Sequence, residues 1–159
     1  MSAEIERKFF VATMPDLTGQ EPIRYERYYL SRTENIEERI QKKANVYEYE
    51  KKERVSDLEH RKEKRPITQE EFESLRTGTS DAIIRDSFKV SENPDITIKI
   101  YHGKYEGLLR AEVEFESLEE AQAFIPSEWM GKEITGTPLG KDSDLLDLSE
   151  EQFKEMLHS

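Results

Sequence analysis

Glu4, Glu6 and Lys8 stand at alternate positions of Glu4-Ile5-Glu6-Arg7-Lys8, near the start of a 159-residue chain. In a strand, successive side chains point to opposite faces, so these three share one side while Ile5, Arg7 and Phe9 share the other. Ile5 and Phe9, followed by Phe10 and Val11, are the residues that want burial in a core. The charged row therefore faces water or a polar cavity. A surface strand accounts for that row taken alone. Carboxylates and an ammonium enclosed in a wet cavity would instead suit a polyanion held together with metal ions.

The same inversion recurs along the chain. Ile96, Ile98 and Ile100 oppose Thr97, Lys99 and Tyr101; Ala111, Val113 and Phe115 oppose Arg110, Glu112 and Glu114. Tyr47 and Tyr49 oppose Glu48, Glu50 and Lys52. In 36–42 the pattern is less clean, because Ile40 shares its face with Glu38 and Lys42, opposite Arg39 and Gln41. Strands are expected at 3–11, 23–30, 36–42, 46–52, 82–90, 96–101 and 108–115, with 58–65 either strand or loop. Thr68 with Glu71 and Ser117 with Glu120 read as capping boxes opening two helices, and a last helix starts near Ser149. About eight strands and three helices make an α+β fold. A half-solvated antiparallel sheet explains each face separately. The sharper alternative is a closed barrel, apolar faces outward beneath helices and charged faces inward around a wet tunnel.

Composition narrows the function classes. Residues 1–159 suit a single domain, with 37% charged and 35% hydrophobic residues. No apolar run is long enough for a membrane span, and the N-terminus has no signal-peptide pattern. The absence of cysteine excludes disulfides and thiolate metal sites and fits the cytoplasm. A net charge of −11 argues against a general nucleic-acid surface. The basic segment 51–65 lacks the interleaved aromatics that nucleic-acid binding favours.

Glu4-Ile5-Glu6-Arg7-Lys8 resembles the signature of the CYTH family, also called triphosphate tunnel metalloenzymes. The likeness continues at Tyr29-Leu30-Ser31, Ile36-Glu37-Glu38-Arg39 and Gly107-Leu108-Leu109-Arg110-Ala111-Glu112-Val113-Glu114-Phe115. It runs on through Ala121-Gln122-Ala123-Phe124-Ile125-Pro126 and Trp129-Met130-Gly131-Lys132-Glu133-Ile134-Thr135, in the family's order over nearly the whole chain. The resemblance implies an eight-stranded antiparallel β-barrel with flanking helices that binds a triphosphate with magnesium or manganese. It implies Glu4, Glu6, Glu112 and Glu114 as metal ligands, and Lys8, Arg39, Lys52 and Arg85 as phosphate-binding bases. Glu4, Glu6, Lys8, Glu112 and Glu114 together would form the catalytic set. The expected activity is hydrolysis of inorganic tripolyphosphate. The alternatives are a nucleoside or thiamine triphosphatase, an adenylate cyclase, or a non-catalytic module for a phosphorylated ligand. Homodimers are common in the family.

Several positions depart from the family pattern. Gln41 stands where a second arginine is usual, and Ser87 where a second base follows Arg85. Aligned through Pro66-Ile67, the next strand offers His60, Lys62 and Lys64 in place of Arg-x-Glu-x-Glu; a register shift of one would offer Arg61 and Glu63. Thr97 and Lys99 replace an acidic pair, and Leu139-Gly140-Lys141-Asp142 replaces an Arg-Tyr-x-Asn run. Lysines thus replace carboxylates while the terminal glutamates stay. Lys62, Lys64, Lys89, Lys99 and Arg110 then join the inward bases against Glu4, Glu6, Glu48, Glu50, Glu112 and Glu114, giving a cationic interior in an acidic chain. Of these, Lys62, Lys99 and Arg110 are expected to bind substrate. Trp129 reads as a packing residue, Glu133 as a surface carboxylate, and His60 as either a phosphate contact or an exposed histidine.

Overall fold

The structure, a computed structural model, describes residues 2–79 and 81–159, with the backbone alone at Ser2. The alternating rows form strands β1 (Ser2–Val11), β2 (Ile23–Arg32), β3 (Ile36–Lys43), β4 (Val46–Arg54) and β5 (Glu59–Pro66), then β6 (Ile83–Glu92), β7 (Asp95–His102), β8 (Leu109–Phe115) and β9 (Met130–Glu133). The helices are α1 (Gln69–Arg76), α2 (Leu118–Ala123), α3 (Asp142–Leu145) and α4 (Glu150–Leu157). Neighbours run in the order β5-β4-β3-β2-β6-β7-β8-β1, every pair antiparallel, and the ring closes where Ala3 and Glu4 of β1 pair with Arg61 and His60 of β5. This is the eight-stranded barrel expected from the resemblance. A short strand outside that expectation, β9, pairs with the far end of β1 at Phe9 and Val11.

Local chemistry fixes the helix starts as the sequence reading expects. Thr68 accepts from the Glu71 amide while the Glu71 carboxylate takes the Thr68 amide, and Ser149 and Gln152 reciprocate in the same way. Ser117 caps α2 by accepting from the Glu120 amide, but the Glu120 carboxylate takes the Glu116 amide in place of the Ser117 amide, so the box expected there is only half formed. α1 and α2 then each cover an apolar outer face. Phe72 of α1 meets Tyr28 and Tyr47 with ring centroids 5.9 and 5.0 Å apart. Phe9, Ile96, Ile98, Ala111 and Val113 form the core beneath α2 and β9, with Phe124 and Trp129 packed against it. Trp129 is thus a packing residue.

The inner rows do not stay polar along their whole length. On β1 the inward sequence is Glu4, Glu6, Lys8, then Phe10; on β6 it is Lys89, Ser87, Arg85, then Ile83. β8 runs Glu114, Glu112, Arg110, with Leu108 just before the strand continuing the row, and β2 runs Tyr25, Arg27, then Tyr29. Tyr29, Ile83, Tyr101 and Leu108 therefore meet Leu139, Leu145 and Phe153 in a second buried core that fills one end of the barrel. The inward face makes a cup with an apolar bottom.

The segment 58–65, left open between strand and loop, is strand β5 in the unshifted register. Lys62 and Lys64 lie inward, whereas Arg61 and Glu63 are exposed. His60 is only 7% exposed, which corrects the exposed reading of it. Glu133 is not a free surface carboxylate either. It takes the Arg7 guanidinium through both oxygens, at 2.7 and 3.0 Å, while Arg7 Nη1 also donates to the carbonyls of Ala121 and Phe124. That clamp ties β1, α2 and β9 together on the outside of the barrel.

Candidate active site

The cup encloses a cavity of ≈ 380 Å³. Its lining includes Glu4, Glu6, Lys8, Arg39, Lys52, Lys62, Arg85, Lys99, Arg110, Glu112 and Glu114, all the residues singled out from the sequence as site candidates. Glu48 shares the inward row, but its carboxylate is engaged by Gln41 Nε2 at 2.9 Å and by Lys64 at 3.4 Å.

At the mouth, β1 and β8 bring carboxylates face to face. Glu6 lies directly opposite Glu114 in the ladder, and one oxygen from each of Glu4, Glu6 and Glu114 falls within 4.8 Å of the others. Partial burial, then the Glu6 and Glu4 carboxylates and Asp95, push the Glu114 carboxyl up to about 7. Glu6 goes the other way: despite burial, Lys8 and Lys52 hold it well below the usual carboxylate range. Three converging carboxylate oxygens fit a hard divalent cation, whose charge would relieve their mutual repulsion. Glu112 stands apart from this group. It is bound by Lys99 at 3.0 Å and by Arg110 at 2.8 Å, and lies opposite Lys8 in the ladder.

Cations ring the middle of the cavity. Lys8 Nζ lies 3.3 Å from Glu6 and donates to the Gly140 carbonyl at 2.6 Å. Lys52 reaches Glu6 at 3.6 Å, and Lys62 bridges Glu4 at 3.2 Å and Glu50 at 3.4 Å. Arg39 pairs with Glu50 at 3.2 Å and Glu37 at 3.6 Å. Burial pushes Lys52 down to about 8; burial and then Arg85 push Lys99 down to about 7. An anion bound beside either lysine would favour its charged form and raise it again.

At the bottom, Asp142 is 4% exposed and gathers Arg27, Arg85 and Arg110. Arg85 is 1% exposed, yet among the described residues its Nε and Nη2 have no hydrogen-bond partner, and neither does the buried Ser87 Oγ two residues along the same face. Gly140 places this segment. A Cβ there would lie 2.3 Å from the Ile134 carbonyl oxygen, so only glycine lets the chain pass this close. Lys141 pairs with Glu37 at 3.7 Å, and both side chains also line an adjoining groove with Tyr29, Arg32 and Asp144.

No protein-family model matches the chain. An inorganic triphosphatase of Nitrosomonas europaea is 34% identical over 138 residues, covering 83% of this chain and 89% of its own length. The chain belongs to the CYTH family. A crystal structure of an inorganic triphosphatase superposes with a TM-score of 0.65 at 30% identity, covering 91% of this chain and 98% of that one. A Pyrococcus furiosus protein, 16% identical with a TM-score of 0.54 over 94% of this chain and 93% of its own, shares the fold. Membership of this metalloenzyme family implies a divalent metal.

Within this cavity, the sequence reading missed Arg27, Glu37, Lys141 and Asp142 as lining residues. Arg27 was within reach, because it alternates with Tyr25 and Tyr29 in a strand already assigned. Lys141 and Asp142 follow a 3-10 turn (Pro138–Gly140) and carry no periodic signal. The stretch that looked like the loss of a family run is the floor of the cavity.

Proposed function

We propose that this protein is a metal-dependent inorganic triphosphatase that hydrolyses a phosphoanhydride bond of tripolyphosphate, with magnesium or manganese as its cation. One observation carries this reading: a single cavity holds three converging carboxylates at its mouth and a ring of lysines and arginines behind them. That is the charge pattern a metal–polyphosphate complex requires.

Glu4, Glu6 and Glu114 would hold the cation, which when bound neutralises phosphoryl oxygens and makes phosphorus easier for water to attack. Lys8, Lys52, Lys62, Lys99, Arg39 and Arg85 oppose the phosphate charge, the arginines offering forked donors. Arg110 acts at one remove, because its guanidinium is occupied by Glu112 and Asp142. Glu112 keeps Lys99 and Arg110 in place. In the reaction, a water oxygen bonds to the terminal phosphorus as the bond to the bridging oxygen breaks. The departing diphosphate keeps that electron pair, and the water's protons pass to product phosphate oxygens and to solvent. Charge that builds on it meets cations already in place, so little reorganisation is needed.

Tyr25 and Ile23 are the lining residues with an apolar face among the described ones, which leaves little for a nucleobase or thiazole to stack on. Phosphate release from tripolyphosphate, ATP and thiamine triphosphate, with magnesium, manganese or EDTA, tests the proposal. Turnover of tripolyphosphate in metal and none in EDTA is expected. Absence of turnover, with thermal stabilisation by tripolyphosphate, would instead mean a module that binds without catalysing.

A further inference from the structure

Asp142 puts the chain's own anion among its deepest cations. Oδ1 accepts from Arg110 Nη2 at 2.9 Å and from the Tyr101 hydroxyl at 2.5 Å. Oδ2 accepts from Arg27 Nη1 at 3.0 Å and lies 3.3 Å from Arg85 Nη1. Three guanidinium groups and a phenol converging on one small oxyanion form the donor set a phosphate group would use. Immediately on the mouth side, Arg85 Nε and Nη2 and Ser87 Oγ are buried in the cavity wall without partners among the described residues. Buried donors in a folded protein are normally satisfied, so these mark where a ligand oxygen belongs.

We propose that Asp142 holds the position of one further phosphate group and thereby fixes the length of polyphosphate that the cavity accepts. This rests on the triphosphatase reading. The innermost phosphate of the substrate takes the open donors of Arg85 and Ser87, and the next position inward is already filled by a carboxylate. Advancing the chain by one phosphate would set like charges against each other in a dry site. Burying three arginines also requires a counter-ion, and that role alone would affect stability without affecting length preference.

Dissociation constants for pyrophosphate, tripolyphosphate and tetrapolyphosphate, measured in EDTA, separate the two roles. For the wild-type protein, affinity is expected to rise at least tenfold from two phosphates to three, then change by less than threefold or fall at four. A gain from three to four equal to that from two to three overturns the proposal, and this arm needs no variant. In Asp142→Ala, the ratio of tetrapolyphosphate to tripolyphosphate affinity is expected to rise at least tenfold. Millimolar orthophosphate should also raise the Tm of this variant and leave the wild-type Tm unmoved. A folded variant with an unchanged ratio overturns the proposal; one too unstable to measure leaves the wild-type series to decide. The triphosphatase reading fails separately, as absent phosphate release from tripolyphosphate with magnesium or manganese.

Discussion

Glu6 on β1 and Glu114 on β8 are directly paired across the ladder, both turned into the cavity. Like charges so placed are unfavourable in a sheet. The two share the strain unequally: Lys8 and Lys52 keep Glu6 ionised, and Glu114 is pushed up to about 7.

Removing one of the pair should separate metal binding from folding. Glu114→Gln is expected to raise Tm in EDTA, because a like-charge contact is gone. The same variant should lose the magnesium-induced rise in Tm and at least 100-fold in tripolyphosphate turnover. Differential scanning fluorimetry with and without magnesium, beside a phosphate assay, checks both. Retained magnesium stabilisation would remove Glu114 from the metal set.

The Glu114 shift also sets a pH window. The unfolded carboxyl titrates near 4.5 and the folded one near 7, so between these values the folded state holds the extra proton. This group's contribution to stability is therefore greatest below about 4.5, falls as pH rises to about 7, and is flat above. The difference in Tm between wild type and Glu114→Gln, scanned across pH in EDTA, should follow that course. Saturating magnesium, which favours the ionised carboxylates, should flatten it.

Lys52→Met keeps most of the buried stem and deletes the charge. Losing one charge-assisted phosphate contact costs ~1.5–3 kcal/mol, which corresponds to about a 10–150-fold rise in KM for tripolyphosphate. Steady-state kinetics test this. An unchanged KM would mean that Lys52 serves Glu6 and not the substrate.

Gly140→Ala should act through the backbone. The added methyl meets the Ile134 carbonyl, so the floor segment must shift, at a cost of about 1–3 kcal/mol typical of overpacking. Urea unfolding measures that loss. The donation from Lys8 Nζ to the Gly140 carbonyl moves with the segment, so KM is expected to rise as well.

Much of the barrel could be read from the chain because period-two rows name both faces of a strand at once. Ile96, Ile98 and Ile100 on one side of β7 and Lys99 on the other left little freedom of register. Helix starts were equally plain at Thr68, Ser117 and Ser149, where the cap is a local reaction between neighbours. β5 was ambiguous because Glu59–Pro66 is charged on both faces, and its pairing with β1 and β4 settles what its own pattern does not. Asp142 was illegible for another reason: its partners Arg27, Arg85 and Arg110 come from three strands remote in sequence. The gathering of Glu4, Glu6 and Glu114 likewise depends on how β1 meets β8, whereas Glu112, one alternation along, turns to Lys99 and Arg110.

The apolar bottom formed by Tyr29, Ile83, Leu108, Leu139 and Leu145 has a kinetic corollary. Packed side chains block exit past the floor, so a fragment lying deepest must leave by the mouth or past the Glu37–Lys141 pair in the wall. Release through the mouth would be ordered, with the deeper product competing against incoming substrate and the shallower one not. Turnover would be governed by the traffic at the rim as much as by the bond that breaks beneath it.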